Sequence, residues 1–291
     1  MSDLSSKSMW PEFFALWPEL QAVGAGSVVL AGGYGLFLKQ TWLLAHPEVP
    51  TIISLAQWLD STPRGTNDFD FVIGVDLIAS ADAQVKVRAM LEKHGFKPKS
   101  PMWQFEKPLG GGLSIVVDIH APHPAEADKG VKVEQGRVKR KPSLGAQALH
   151  GRADPESIGF DLRPFRFEMD GLSIATPNPV TWCSMKLTAM RDQRVKSEDA
   201  RLSPAERKEI RNKAVKHALD VCRVVALTTR DERDGTAEVI RCIEDAAPFK
   251  QAASIAAEYF QPEGWGPTVV EFAWAPDDLR LIRDTLAAWF K

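Results

Sequence analysis

At 291 residues, 44% hydrophobic and 25% charged, the chain has the ordinary composition of a globular protein and the length for about two domains. A formal net charge of −2 gives no global attraction to nucleic acid or to an anionic membrane, so any such contact has to come from a local patch. Cys183, Cys222 and Cys242 are widely spaced and odd in number, which argues against a disulfide framework or a zinc site and reads as core thiols. No apolar run reaches the ~20 residues of a bilayer span, and residues 1–9 lack a basic-then-apolar leader. The expectation is a soluble, cytoplasmic protein with no membrane partner.

Trp10, Phe13, Phe14 and Trp17 fit one face of a short helix, and 27–31 is a short apolar run closed by Gly32-Gly33. Residues 34–44 then predict a buried helix, ended before Pro47. Asn-Asp-Phe-Asp-Phe-Val-Ile-Gly-Val over 67–75 alternates polar and apolar before turning wholly apolar, as in a strand whose first half meets solvent. Residues 81–94 read as a helix stopped at Gly95. Two strands follow, over 103–106 and 113–120, joined across Gly110-Gly111-Gly112.

From 121 to 161 the periodicity disappears, and 129–141 carries six basic residues against one acid, Glu134, which predicts a basic loop or hairpin. Strand character resumes over 165–175 around Asp170-Gly171. Beyond it the chain turns helical. Asn178 before Pro179 is an N-cap with proline at the first helical position, and Ser203-Pro204-Ala205-Glu206 has capping-box spacing. Further helices are expected over 237–242, 251–260 and 277–290, with 261–267 as a loop. The fold class is therefore α/β of the α+β kind. A mixed-sheet domain spans 1–175, with its basic loop at about 121–161, and a mostly helical domain spans 176–291.

Asp68 and Asp70 stand two apart on the predicted strand, so both carboxylates leave one face with Cα atoms ~6.5 Å apart, while Phe69 and Phe71 point into the core. Such a pair reaches one metal centre. Mg²⁺ prefers oxygen ligands and combines one or two carboxylates with substrate phosphates. Alone, the pair reads equally well as a solvated strand end. Asp118 closes the apolar run 114–117, and a carboxylate at a strand's outer end suits a third ligand or a general base. Gly32 and Gly33 let the backbone approach a phosphate at a helix N-terminus, or simply make a tight turn. Arg64 and Thr66, just before the carboxylates, suit triphosphate oxygens. In His120-Ala-Pro-His123, Pro122 disturbs metal-binding geometry, so a satisfied or exposed histidine pair is the stronger reading. Gly24-Ala-Gly26 lacks the third glycine of a dinucleotide fingerprint, and no P-loop run is present.

Gly32-Gly33 after an apolar strand, Arg64-x-Thr66-x-Asp68-Phe69-Asp70, and Asp118 on a following strand together resemble the nucleotidyltransferase fold of the DNA polymerase β superfamily. The AbiEii-like toxins of abortive-infection and toxin–antitoxin systems are the particular likeness. In that family a Lys-bearing helix follows the α/β domain, and 179–194, with Lys186 in Met-Lys-Leu-Thr-Ala, is similar to it. Lys216-His217-Ala218-Leu219-Asp220 is similar to a later acidic motif, with His217 where the family often has an acid. The resemblance runs in patches from 27 to 226, and 45–63 reads as an insertion.

The resemblance implies Mg²⁺ on Asp68 and Asp70, triphosphate contacts from Gly32, Gly33, Arg64 and Thr66, and phosphate neutralisation by Lys186. Asp118 or Asp220 would assist the acceptor hydroxyl. The implied reaction moves a nucleoside monophosphate from an NTP to RNA such as tRNA, to a protein or to a small molecule, and an antitoxin is the implied protein partner. A catalytically silent module of the same fold, binding nucleic acid or a protein, is the alternative, motivated by the insertion and His217. On the residues alone, Lys186 also reads as a solvated lysine, Lys216 and Asp220 as an i, i+4 ion pair, and the basic run as a nucleic-acid grip or a solvated loop.

Overall fold

The computed structural model describes residues 9–24, 26–63, 65–99 and 102–291. The chain is mixed α/β, with a mixed sheet and a helical C-terminal region. It divides into two compact units. One runs to Trp42 and resumes over Pro63–Pro177; the other comprises Leu43–Thr62 and Asn178–Lys291.

In the first unit, α1 (Trp10–Gly24), β1 (Val28–Leu30) and α2 (Gly32–Ala45) lead to β2 (Asp68–Ile73). The crossover α3 (Val75–Ala79) and α4 (Ala81–Lys93) then carries the chain past β3 (Lys97–Pro98) and β4 (Gln104–Gly110) to β5 (Leu113–Ala121). β6 (Val131–Glu134), β7 (Arg137–Arg140) and β8 (Gly151–Ala153) complete one sheet in the order β1-β2-β5-β8-β7-β6, with β4 on the first part of β5 and β3 on β4. β2 and β8 both run parallel to β5, and the remaining pairs are antiparallel. A separate hairpin of β9 (Phe165–Met169) and β10 (Leu172–Thr176) closes the unit.

Alternation along β2 and β5 sorts the side chains. Phe69, Phe71, Ile115, Val117 and Ile119 are buried, as are Phe105 of β4 and Val138 of β7. Their neighbours Asp68, Asp70, Val116 and Asp118 stay partly exposed on the other face. The aromatic stripe of α1 covers the buried face, with the Phe13 ring 5.7 Å from Phe69 and the Trp17 ring 6.0 Å from Phe71. Tyr34 of α2 adds a third ring 4.8 Å from Phe69. Rings of this size each contribute several kcal/mol of burial. Trp10 and Trp17 also donate through Nε1 to Asp170 and to the Ser173 carbonyl, which ties the β9–β10 hairpin to α1.

The second unit contains α5 (Pro179–Lys196), α6 (Pro204–Ala226), α7 (Arg230–Ile243), α8 (Ala247–Tyr259), α9 (Trp265–Val270) and α10 (Pro276–Trp289). The predicted caps are present: Asn178 Oδ1 accepts from the Thr181 N–H at 2.9 Å, and Ser203 with Glu206 forms a full capping box. A cap of this kind stabilises its helix by about 1 kcal/mol. The segment that reads as an insertion belongs to this unit, where Ile52 and Ile53 donate to the carbonyls of Thr228 and Ala226 and Trp58 packs on Trp274. Among the described residues no helix is long and apolar enough to cross a membrane.

Several local expectations are refined or corrected. Over 121–161 the hairpin reading is the one found: β6 and β7 form it, and with β8 they extend the sheet, so the stretch is not a loop throughout. Asp118 sits inside β5, three residues from its end, rather than at the strand's outer end. Cys242 is exposed, unlike Cys183 and Cys222. Residues 261–267 include the start of α9, and α7 begins at Arg230, because Thr229 and Glu232 form a second capping box ahead of a strongly polar first turn.

Candidate functional site

The partly exposed sheet face gathers the titratable residues of the first unit. Asp70 and Asp118 are direct partners across the parallel β2–β5 pair, as are Asp68 and Val116. Side chains at paired positions share a face, so the two aspartates stand side by side, with Asp68 one pleat further along β2. Gln104, the partner of Asp118 on β4, donates Nε2–H to Asp118 Oδ1 at 2.8 Å. Burial raises the Asp118 pKa above the usual carboxylate range, and the neighbouring Asp70 charge raises it further.

Gly32 opens α2 directly against this pair. Its φ of +63° suits glycine, and a Cβ there would lie 1.7 Å from Asp70 Oδ2. The Ala31 N–H donates to the Asp70 carbonyl at 2.8 Å, which fixes the turn to β2. Gly33 follows within the first turn of the helix, whose N–H groups are the natural partners of an anion. Thr66 is buried and its Oγ1 accepts from the Asp68 N–H at 3.4 Å. Arg64 lies outside the described residues.

His120, which the sequence suggests is a satisfied or exposed histidine, joins the aspartates. It pairs with Val72 of β2 and Arg152 of β8, so its ring lies on the same sheet face as Asp118, two residues earlier. Nδ1 is 2.7 Å from Asp154 Oδ2 and Nε2 is 3.2 Å from Asp70 Oδ1. Asp154 is held in turn by its own N–H, which donates to the Ala121 carbonyl at 2.8 Å. Burial alone would lower the pKa of His120, yet the Asp154 and Asp70 carboxylates outweigh it and raise it to about 10. For Asp154, burial works to raise the pKa, and the His120 and Arg152 charges overcome it and hold the carboxyl below its ordinary value. Only the partner on β2, invisible without the sheet register, distinguishes His120 from a satisfied core histidine; the local signal was its period-two spacing from Asp118.

Ligand atoms of Asp70, Asp118 and His120 lie within 4.8 Å of one another, close enough for one divalent cation. This is a donor set of two carboxylates and an imidazole, with Asp68 beside it on β2. The protonated ring donates from both nitrogens and serves as the cation of the cluster. With Nδ1–H alone donated to Asp154, Nε2 presents a lone pair to the acids, which is the arrangement of a carboxylate-oriented metal ligand.

Lys186 and Asp220 belong to the second unit, on α5 and α6. Lys186 Nζ lies 3.1 Å from Asp220 Oδ2, and both side chains are buried. The lysine is therefore not the solvated residue that an amphipathic helix suggests. No protein-family model, curated protein or solved structure matches the chain.

Proposed function

We infer that the chain is a metal-dependent nucleotidyltransferase whose reacting groups meet on the exposed face of β2 and β5. The observation that carries this reading is the juxtaposition of Asp70 and Asp118 on adjacent parallel strands with the α2 N-terminus, through Gly32, pressed against Asp70. Asp68, Asp70 and Asp118 would hold Mg²⁺, and the donor set fits a hard cation at oxygen, with His120 at its border. When bound, the ion neutralises phosphate charge and stabilises the attacking and leaving oxygens of an in-line displacement.

The chain's own residues supply positioning. The N–H groups of the first turn of α2, beginning at Gly32 and Gly33, receive the NTP phosphates beside the carboxylates. The acceptor hydroxyl oxygen forms its bond to the α-phosphorus as the bond to the β-phosphate bridging oxygen breaks, and pyrophosphate leaves with that electron pair. Asp118 takes the hydroxyl proton. No step is assigned to Lys186 or Asp220, which neutralise one another in the second unit.

Pyrophosphate release from each NTP in the presence of Mg²⁺ and total cellular RNA tests this reading. The wild type is expected to release it from at least one NTP, and Asp68→Ala and Asp70→Asn to abolish it; full release by Asp70→Asn would refute the site. One observation favours the silent module instead: the His120 ring already occupies Asp70, its Nε2 3.2 Å from Asp70 Oδ1. That reading predicts RNA binding without pyrophosphate release.

A further inference from the structure

β8 and β7 carry the sheet face outward from the acids and change its sign. Arg152 is the partner of His120 across β5–β8, and Arg137 is the partner of Arg152 across β8–β7, so both guanidiniums share the face of Asp70 and Asp118. Lys139, two residues beyond Arg137, lies on the same face and pairs with Lys132 of β6, while Glu134 is the partner of Arg137. The strip thus holds four cations and one acid. Glu134 is engaged by both lysines, which hold its carboxyl down to about 2.

Arg137 and Arg152 stand directly opposite one another across these antiparallel strands, which concentrates positive charge at the middle of the strip. The Arg152 guanidinium is also spread over the Trp103 ring at 5.8 Å, which orients it while leaving it exposed. From β5 to β6 the strip crosses three strand spacings, ~14 Å. That is longer than the phosphate chain of one nucleotide and suits the backbone of a short stretch of single strand. The whole chain carries a net charge of −2, so attraction to a polyanion has to come from a local patch such as this strip.

We propose that this strip, through Arg137 and Arg152 with Lys132 and Lys139 beyond them, binds the sugar–phosphate backbone of a single-stranded RNA and leads its end to the aspartates. The inference deepens the proposed function by placing the acceptor, and it rests on that reading for the role of the bound strand but not for the binding itself.

The test is fluorescence anisotropy of a short labelled single-stranded RNA with the full chain over a range of salt concentrations. Arg137→Gln/Arg152→Gln is expected to bind at least about tenfold more weakly, with the salt slope reduced by about two. Lys86→Gln, an exposed residue of α4, should bind as the wild type does, and circular dichroism should show both variants folded. Binding by the double variant within twofold of wild type would overturn the proposal. So would an equal loss of NTP affinity in calorimetry, since the strip would then be the triphosphate site. Asp70→Asn separates the two readings: RNA binding kept in this variant, whether or not the wild type transfers nucleotide, upholds the strip.

Discussion

Asp70 and Asp220 are both aspartates set beside a cation, and their surroundings differ in almost every other respect. Asp70 is partly exposed on a strand, shares its face with Asp68 and Asp118, and meets His120 at 3.2 Å. Asp220 is fully buried between helices and meets Lys186 at 3.1 Å. In the helical unit one acid and one base cancel inside the core, where the pair serves the fold. On the sheet face three acids converge on the side open to solvent, and a core-facing row of aromatics carries the stability. The same strands thus separate the two tasks by alternation.

The comparison breaks most visibly at the buried pair. Lys186→Met removes the cation beside a carboxylate with no solvent access, and the loss is expected at about 3–5 kcal/mol in denaturant unfolding. Lys186→Met/Asp220→Leu should recover part of it, because both charges are then gone. A single variant as stable as wild type would show that the pair has no structural role.

Gly32→Ala comes next. The added methyl meets the Asp70 carboxylate and the residue sits at a positive φ, so a loss of about 1–3 kcal/mol is expected. The measurement that sharpens this is stability of Gly32→Ala against Gly32→Ala/Asp70→Gly, where the second change removes the clash and should restore only the steric part.

The His120–Asp154 dyad predicts a pH dependence. The raised His120 pKa means its contribution to stability is complete below the ordinary histidine value of about 6.5 and is lost as pH rises through about 10. Asp154, held low, contributes above its ordinary value of about 4 and loses that contribution as pH falls below it. Asp154→Asn should therefore lower the His120 pKa in an NMR titration and flatten the alkaline limb of stability. An unchanged His120 titration would contradict the geometry. The smallest effect is expected at Asp118→Asn, within about 1 kcal/mol of wild-type stability, since relief of repulsion with Asp70 offsets any weakening of the Gln104 hydrogen bond.

Much of this was legible in the sequence because it is local. Alternation over 67–75 placed Asp68 and Asp70 on one face and Phe69 and Phe71 on the other, and capping chemistry placed the starts of α5 and α6. What escaped depends on register between distant strands. Nothing in the order of residues shows that Asp118 lies opposite Asp70, that Asp154 reaches back to His120 from just beyond β8, or that Arg137 faces Arg152. The basic stretch hid its strands because they are four residues long or shorter and rich in charge, with Val138 the one fully buried residue of β6 and β7. The burial of Lys186 was hidden for a similar reason: α5 is buried nearly all round in its first half, so its residues carry no polar side to read.

The most direct measurement follows two labels through one reaction: purified protein, Mg²⁺ and single-stranded RNA are incubated with each NTP labelled at the α- or at the γ-phosphate. The account predicts that α-label appears on the RNA while γ-label leaves as pyrophosphate, and that Asp70→Asn loses the transfer by about 10²–10³-fold or more with its fold intact. Transfer of the γ-label, or α-label transfer undiminished in Asp70→Asn, would contradict the claim that Asp70 and its neighbours on the β2–β5 face carry out nucleotidyl transfer.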